Sequence, residues 1–347
     1  MKVGIVKDRI YLEHVTDRFH PENAQRLEHI YEMVERLPQD DLVYVAPRPA
    51  SEDEICLIHS PRYYEFVAAT AGKTHTQLDP DTSTSPRSFE AATMAVGGLL
   101  NLVDAVMKGE VDNGFALIRP PGHHAEKDRA MGFCLFNNVA IAAAYALGQH
   151  RLKRVLIIDW DLHHGNGTQH SFYERADVLY FSSHQYPYYP GTGFFGEVGN
   201  GAGKGFTVNV PLGAGPGDAE FFLIFEEILE PIALEFKPEL IFVSAGFDIY
   251  YRDPLGGMQV TPQGFANLTR VILEFAQKTC GGKTVFVLEG GYHLEGLRDS
   301  ARQVLKTLRG ELLSQGRDET ARTKADRRMI DPVLKKVREV QKPYWKM

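Results

Sequence analysis

Six short apolar runs, at residues 115–118, 155–158, 178–181, 206–210, 240–243 and 285–288, limit most strongly what this chain can fold into. Each run is continuous rather than alternating, the pattern of a strand buried on both faces of a parallel sheet. Parallel neighbours require crossover connections, and segments of helical period stand between or after the runs at 138–147, 218–236, 263–278 and 294–308. Upstream, residues 22–37 carry Leu27, Ile30, Tyr31, Val34 and Leu37 at helical spacing, and Pro38 stops them. Ser51-x-x-Glu54 has the form of a capping box, and 86–108 reads as a long helix with Gly97-Gly98 inside it. The expectation is an α/β domain over residues 1–314.

The residues just past the runs are chemically unusual. The first run leads into Arg119-Pro-Pro-Gly-His123-His124, the second into Asp159-Trp-Asp161-Leu-His163-His164-Gly-Asn166 and the third into Ser182-Ser183-His184. The fifth leads into Ser244-Ala-Gly-Phe-Asp248 and the last into Glu289-Gly-Gly-Tyr292. Five reactive clusters thus lie beyond the carboxyl ends of presumed parallel strands, where open α/β sheets place their ligands.

Composition narrows the class. The 347 residues are 44% hydrophobic and 24% charged, which excludes a disordered, collagenous or disulfide-built protein. Cys56, Cys134 and Cys280 are odd in number and far apart, which argues against a thiolate metal site and for a reducing compartment. The formal charge of −7 gives no reason to expect direct nucleic-acid binding. Residues 130–150 carry no formal charge, but the apolar part shrinks to 139–147, too short to cross a bilayer. A soluble, cytoplasmic protein with no membrane contact is expected.

Asp161 and His163 are two apart, so in an extended segment both leave on one side. Asp248 from another strand end makes a third donor, and two carboxylates with one imidazole suit an open, catalytic divalent metal site such as Zn²⁺. A lone Asp-x-His is more often a loop-capping pair; here the other clusters favour the metal. His123-His124 supplies a candidate general base and acid, with Asp159 and Asn166 as acceptors for the far ring nitrogens. The glycines before Tyr292 allow a tight turn that aims a phenol at a developing oxyanion. Phe133 after Gly132, with Tyr188 and Tyr189, can line a narrow apolar channel. Together these read as metal-assisted hydrolysis of an amide.

RPPGHH, GFCLFNN, DWDLHHGNGTQ, PYYPGTG, SAGFD, DPLGGM and EGGY occur here in the order and spacing of zinc-dependent histone deacetylases. The chain resembles the class II branch and its bacterial amidohydrolase and acetylpolyamine amidohydrolase relatives, from about residue 3 to about 313. The resemblance implies an arginase/deacetylase fold with a central, mostly parallel eight-stranded sheet. It implies Asp161, His163 and Asp248 as ligands of one Zn²⁺, His124 as base and acid, and His123, partnered by Asp159, as the assisting imidazole. Asn166 stands where some relatives have Asp, and Tyr292 matches the tyrosine that polarises the acyl carbonyl. Phe133 and Tyr189 match the walls of an acyl-lysine tunnel, with Gly132 beside them, and Asp81 the rim carboxylate that holds the substrate backbone. A structural K⁺ is implied near the main chain of Asp159, Asp161, His163, Ser182 and Ser183.

The implied substrate is an acyl-lysine peptide or protein, with an acetylpolyamine as the alternative. Leu255 stands where polyamine-selective relatives carry a Glu, which weakens the polyamine reading. Ile249-Tyr250-Tyr251-Arg252 departs from the usual class II stretch and is expected at the pocket rim. Ureohydrolases of the same fold bind two Mn²⁺ and need a second Asp where this chain has Tyr250, so a mononuclear site is expected. A non-catalytic acyl-lysine reader would not need the His pair. Residues 315–347 lie outside the resemblance and carry net +5, leaving −12 for 1–314. A terminal helix docking Tyr344 and Trp345 on the domain or on another subunit is expected there, and a homo-oligomer is compatible with it.

Overall fold

The computed structural model describes residues 1–313 and 320–347. Ten strands are present among them: β1 (Val3–Val6), β2 (Leu42–Tyr44), β3 (Thr76–Asp79), β4 (Thr82–Thr84), β5 (Asn113–Ala116), β6 (Val155–Asp159), β7 (Val178–Gln185), β8 (Thr207–Leu212), β9 (Leu240–Ala245) and β10 (Thr284–Leu288). Eight of them form the central sheet in the order β2-β1-β5-β10-β9-β6-β7-β8, every pairing parallel, and β3 and β4 form a separate antiparallel pair. All six apolar runs are strands, and β5, β6, β9 and β10 are buried along their whole length. β1 and β2 complete the sheet.

Helices cover both faces. α1 (Gln25–Glu35) packs on the face that later carries the long carboxyl-terminal helices, and α2 (Glu52–Ile55) and α3 (Pro61–Ala68) come after it. The Ser51–Glu54 capping box opens α2. α4 (Ser88–Met107), α5 (Asn138–Gln149) and α6 (Asn166–Phe172) cover one face. α7 (Asp218–Ile224), α8 (Glu230–Phe236), α9 (Pro262–Cys280) and α10 (Leu294–Leu308) cover the other with α1. α7 and α8 are one helical segment interrupted by a π turn at Phe225–Leu229. Pro231 lies just beyond and cannot donate to the carbonyl four residues back, so the helix widens there.

Residues 22–24 precede α1. The Glu22 carboxylate is fully buried between Arg26 and Arg119, and Asn23 Oδ1 accepts the Gln25 N–H where α1 begins. Among the described residues α4 alone is long and apolar enough to cross a membrane. It is instead mostly buried against β1, β5, β10 and α5. Gly98 lets it approach Tyr11 and Val6, and at Gly97 a Cβ would lie 2.0 Å from the Arg48 carbonyl oxygen.

The carboxyl-terminal segment, with α11 (Ala321–Lys324) and α12 (Arg327–Gln341), docks on the domain at β8. Ile330, Leu334 and Val337 are buried, and Trp345 lies edge-on to Phe206 and Phe236. The indole N–H of Trp345 donates to the Gly205 carbonyl at 2.8 Å, and Gln341 Nε2 donates to that of Thr207 at 3.0 Å. The tail thereby protects the outer edge of β8, an edge that would otherwise offer free acceptors. The boundary expected at residue 314 lies outside the described residues.

One buried histidine ties α5 to the loop before it. His59 Nδ1 faces the Glu126 carbonyl at 2.9 Å, and its Nε2 accepts the Asn137 amide N–H at 2.9 Å. Only the neutral ring satisfies both, and burial lowers its pKa to about 4 from an ordinary 6.5. The folded state therefore resists a proton that the unfolded chain accepts. The stability this residue contributes is whole above pH about 6.5 and falls away towards pH 4, by about 3 kcal/mol. Urea midpoints across that range should drop less steeply for His59→Gln than for the wild type. Equal slopes would refute the assignment.

Candidate active site

Four of the five reactive clusters meet at one place, extending from β5, β10, β9 and β6, which are consecutive neighbours in the sheet. The fifth, Ser182-Ser183-His184, lies within the next strand β7 rather than beyond it, with His184 packed on His164, and it is Tyr189 further along the chain that reaches the crevice. A cavity of about 140 Å³ opens there, lined by Asp81, His123, His124, Gly132, Phe133, His163, Tyr189, Leu255 and Tyr292 among others.

At its floor the donor atoms of Asp161, His163 and Asp248 lie within 4.8 Å of one another, all three residues buried. His163 Nδ1 is 3.2 Å from Asp161 Oδ1 and 3.1 Å from Asp248 Oδ2. The carboxylates are oriented by the main chain: Gly290 N–H donates to Asp161 Oδ2 at 2.8 Å and Leu162 N–H to Asp248 Oδ1 at 2.9 Å. Glycine is required at 290, since a Cβ there would lie 2.3 Å from Asp248 Oδ2. Two carboxylates buried this close repel unless a cation lies between them or one of them holds a proton. Two hard oxygens and one imidazole fit a divalent ion of the zinc type.

His123 and His124 lie side by side above this cluster, ring centroids 4.0 Å apart, in different environments. His123 Nδ1 faces Asp159 Oδ2 at 3.1 Å, and that oxygen also accepts the Tyr180 hydroxyl at 3.0 Å. Burial opposes charge on His123, but Asp161 and Asp159 outweigh it and raise the ring to about 10. His124 Nδ1 is 2.8 Å from Asn166 Oδ1. Burial, then the neighbouring His123 and His163, push its pKa well below the usual value. The two rings therefore differ in surroundings, carboxylates beside His123 and an amide beside His124, the asymmetry expected of an electrostatic partner and a base.

Tyr292 faces the pair across the cavity. Asp253 Oδ2 accepts the N–H groups of Tyr292 and His293 at 2.7 and 3.1 Å, and the Arg26 guanidinium lies over the phenol ring at 5.0 Å. Arg26 also donates to the carbonyls of Glu289 and Gly291 on either side of the turn. Burial raises the phenol above its ordinary value, so it stays a proton donor.

The walls agree with the sequence reading in part. Phe133 stands edge-on to Tyr292, and Tyr189 edge-on to His124. Phe133 has φ 69° and comes after Gly132 at φ 57°, a left-handed pair held by Gly132 N–H to Asp81 Oδ1 and Phe133 N–H to Thr82 Oγ1, both 3.0 Å. Residue 132 must be glycine, because a Cβ would lie 2.3 Å from the His124 ring. Asp81 thus braces the wall as well as lining the cavity. Tyr188 stacks on His163 and donates to the Leu255 carbonyl at 2.8 Å.

One expectation is corrected. Of the departing stretch at 249–252, Ile249 and Tyr250 are buried and none of the four residues lines the cavity. Tyr250 packs against His293 and Gly296 at the start of α10, where the absent Cβ of Gly296 makes its room. The sequence reading passed over Arg26 and Glu126, the latter beside Asn166, and gave no role to Glu289, whose buried carboxylate accepts the Gly122 and His123 N–H groups. Glu126 stands in the run His123-His124-Ala125-Glu126, two residues past the base, which was its only signal.

Sheet and crevice together define a parallel α/β domain with a metal-suited site at the carboxyl end of its strands. The chain belongs to the histone deacetylase family: the histone deacetylase domain matches residues 20–308. It is 40% identical over 299 residues to a probable deacetylase of Archaeoglobus fulgidus, covering 85% of this chain and 83% of that one. It is 45% identical over 303 residues to human polyamine deacetylase HDAC10, covering 83% of this chain and 45% of the relative. The crystal structure of the HDA15 HD domain superimposes with a TM-score of 0.88 at 36% identity, over 99% of this chain and 95% of that one. The chain spans about half the length of the human relative and of histone deacetylase 5 of Arabidopsis thaliana.

Proposed function

We propose that this protein hydrolyses the side-chain amide of acetylated lysine in peptides or proteins. The observation that carries the reading is the enclosure of the Asp161–His163–Asp248 cluster, the split histidine pair and Tyr292 around one narrow cavity. Asp161, His163 and Asp248 would hold one Zn²⁺, which when bound supplies Lewis-acid polarisation of the acyl oxygen and of water. His124, its Nδ1–H committed to Asn166, keeps Nε2 free to take a proton from the attacking water and return it to the leaving amine. His123, held by Asp159, assists as negative charge develops. The Tyr292 hydroxyl donates to the acyl oxygen as it becomes an oxyanion. Phe133 and Tyr189 guide the aliphatic chain, Gly132 leaves room for it, and Asp81 at the rim receives the substrate backbone. A K⁺ belongs at the main chain around Asp159, Asp161, His163, Ser182 and Ser183.

An acetylpolyamine is the second reading, favoured by the activity for which the human relative is named. Leu255 at the cavity mouth argues against it, since an apolar side chain there offers no attraction to a distal ammonium. The test is hydrolysis of a panel crossing acyl length with amine carrier, with and without chelator. Acetyl-lysine peptides should be cleaved at least about tenfold better, in kcat/KM, than acetylpolyamines, one lost charge pair being worth about that factor. Chelation should abolish turnover and one equivalent of Zn²⁺ restore it. Preference for acetylpolyamines would transfer the assignment to the second reading, and two Mn²⁺ per active chain would overturn the mononuclear site.

A further inference from the structure

An asparagine beside a histidine base poses a problem that an aspartate does not. An amide has one end that accepts and one that donates. If Asn166 presented Nδ2 to His124, it would select the tautomer with a bare Nδ1 and a proton on Nε2, the nitrogen that must be free. Something must fix which end faces the ring.

Asn166 Nδ2 points away from the ring to Glu126 Oε1, and makes only longer contacts to the His124 carbonyl at 3.3 Å and Met131 Sδ at 3.5 Å. A carboxylate is acceptor-only when ionised, and the same Glu126 oxygen is 2.8 Å from His170 Nδ1. Burial pushes Glu126 up, but the hydrogen bonds from His170 and Asn166 outweigh it and hold the group below its ordinary value. His170 is itself raised, chiefly by its bond to Glu126. We propose that Glu126 is a positioning residue that acts through Asn166: by accepting from Nδ2 it turns Oδ1 onto His124 and locks the Nδ1–H tautomer that leaves Nε2 free. His170, on the solvent side, holds the carboxylate in place. The chain His170–Glu126–Asn166–His124 does with a remote charge what an aspartate at 166 would do directly. The inference rests on the deacetylase reading for its kinetic consequences, and on the hydrogen-bond geometry alone for the tautomer.

Glu126→Gln keeps the shape but lets either end of the new amide face Asn166, so both orientations of Asn166 become available. Asn166→Asp places two carboxylates in contact, one of which must protonate or withdraw. The double variant Glu126→Gln/Asn166→Asp removes both faults. In it the amide introduced at position 126 can donate to the carboxylate introduced at position 166, and that carboxylate accepts from His124. We expect kcat to fall about tenfold in each single variant with KM nearly unchanged, and to recover to within about threefold of wild type in the double variant. Thermal melts of all four proteins separate this from unfolding, since a purely structural contact would not produce reciprocal rescue of kcat. Ring ¹⁵N shifts of His124 should show Nδ1–H alone in the wild type and a tautomer mixture in Glu126→Gln, a readout that needs no turnover. Full kcat and an unchanged tautomer in Glu126→Gln, or a double variant no better than the singles, would overturn the proposal. A wild type inactive on every acyl-lysine substrate would instead remove the deacetylase reading, while the ring shifts would still decide the tautomer.

Discussion

Tyr292→Phe should lower kcat by about a hundredfold to a thousandfold while KM, zinc content and melting temperature hold steady, the loss expected when one oxyanion donor is removed. The substitution is clean because everything that places the ring survives it. Asp253 holds the backbone of residues 292 and 293, Arg26 lies over the ring face, and Phe133 meets its edge. None of these contacts involves the hydroxyl. Tyr292 lines the cavity together with His123 and His124. Turnover within about threefold of the wild type would show that charge on the acyl oxygen is stabilised by other groups, and the role given to Tyr292 would fall.

That variant probes a site whose location was legible in the sequence, for a reason the sheet explains. Five of six apolar runs end in reactive clusters, and those five are the adjacent strands β5, β10, β9, β6 and β7. The run without a cluster, residues 206–210, is β8 at the sheet margin, covered by the carboxyl-terminal helix. A strand's position in the sheet thus shows in the residues at its carboxyl end. β1 and β2 escaped the reading because Gly4 interrupts the apolar run of the first, and the second is three residues long with Val43 and Tyr44 exposed. Tyr250 misled because a chain segment adjoining Asp248 was expected to share its surroundings, whereas the backbone turns there and carries the ring beneath α10.

The residues that support the site from behind were least visible, since each acts across a long sequence separation. Glu126 reaches Asn166 across 40 residues, Glu289 reaches the His123 loop across 166, and Arg26 reaches the Tyr292 turn across 265. A charged residue in a helical pattern looks solvent-facing unless its partner is known. Arg26 sits in α1 among Leu27, Ile30 and Val34 and is completely buried. Periodicity reports apolar burial and is blind to a burial made possible by a distant counter-charge.

That blindness locates the largest expected stability effect. Glu22, Arg26 and Arg119 are fully buried and meet within hydrogen-bond distance: Glu22 Oε1 accepts from Arg26 Nη1 at 3.0 Å and Glu22 Oε2 from Arg119 Nη2 at 2.7 Å. Arg119 also donates to the carbonyls of Tyr11 and His14. Removing the one carboxylate leaves two guanidiniums facing each other without water, so Glu22→Gln should lose about 3–5 kcal/mol of unfolding free energy. Burial alone would raise the Glu22 pKa, but Arg119 and then Arg26 hold it far below the carboxylate range. Its contribution is therefore whole above pH about 4.5 and declines only in acid below that, mostly beneath the His59 window. The loss should reach the active site, because Arg26 holds the carbonyls that flank the Tyr292 turn. Glu22→Gln molecules that remain folded should turn over more slowly, whereas Arg119→Lys, which keeps one charge on the pair, should be milder on both measures. Urea denaturation of the three proteins at pH 7 decides it, and a Glu22→Gln loss below about 1 kcal/mol would show that the cluster is stabilised by something other than this carboxylate.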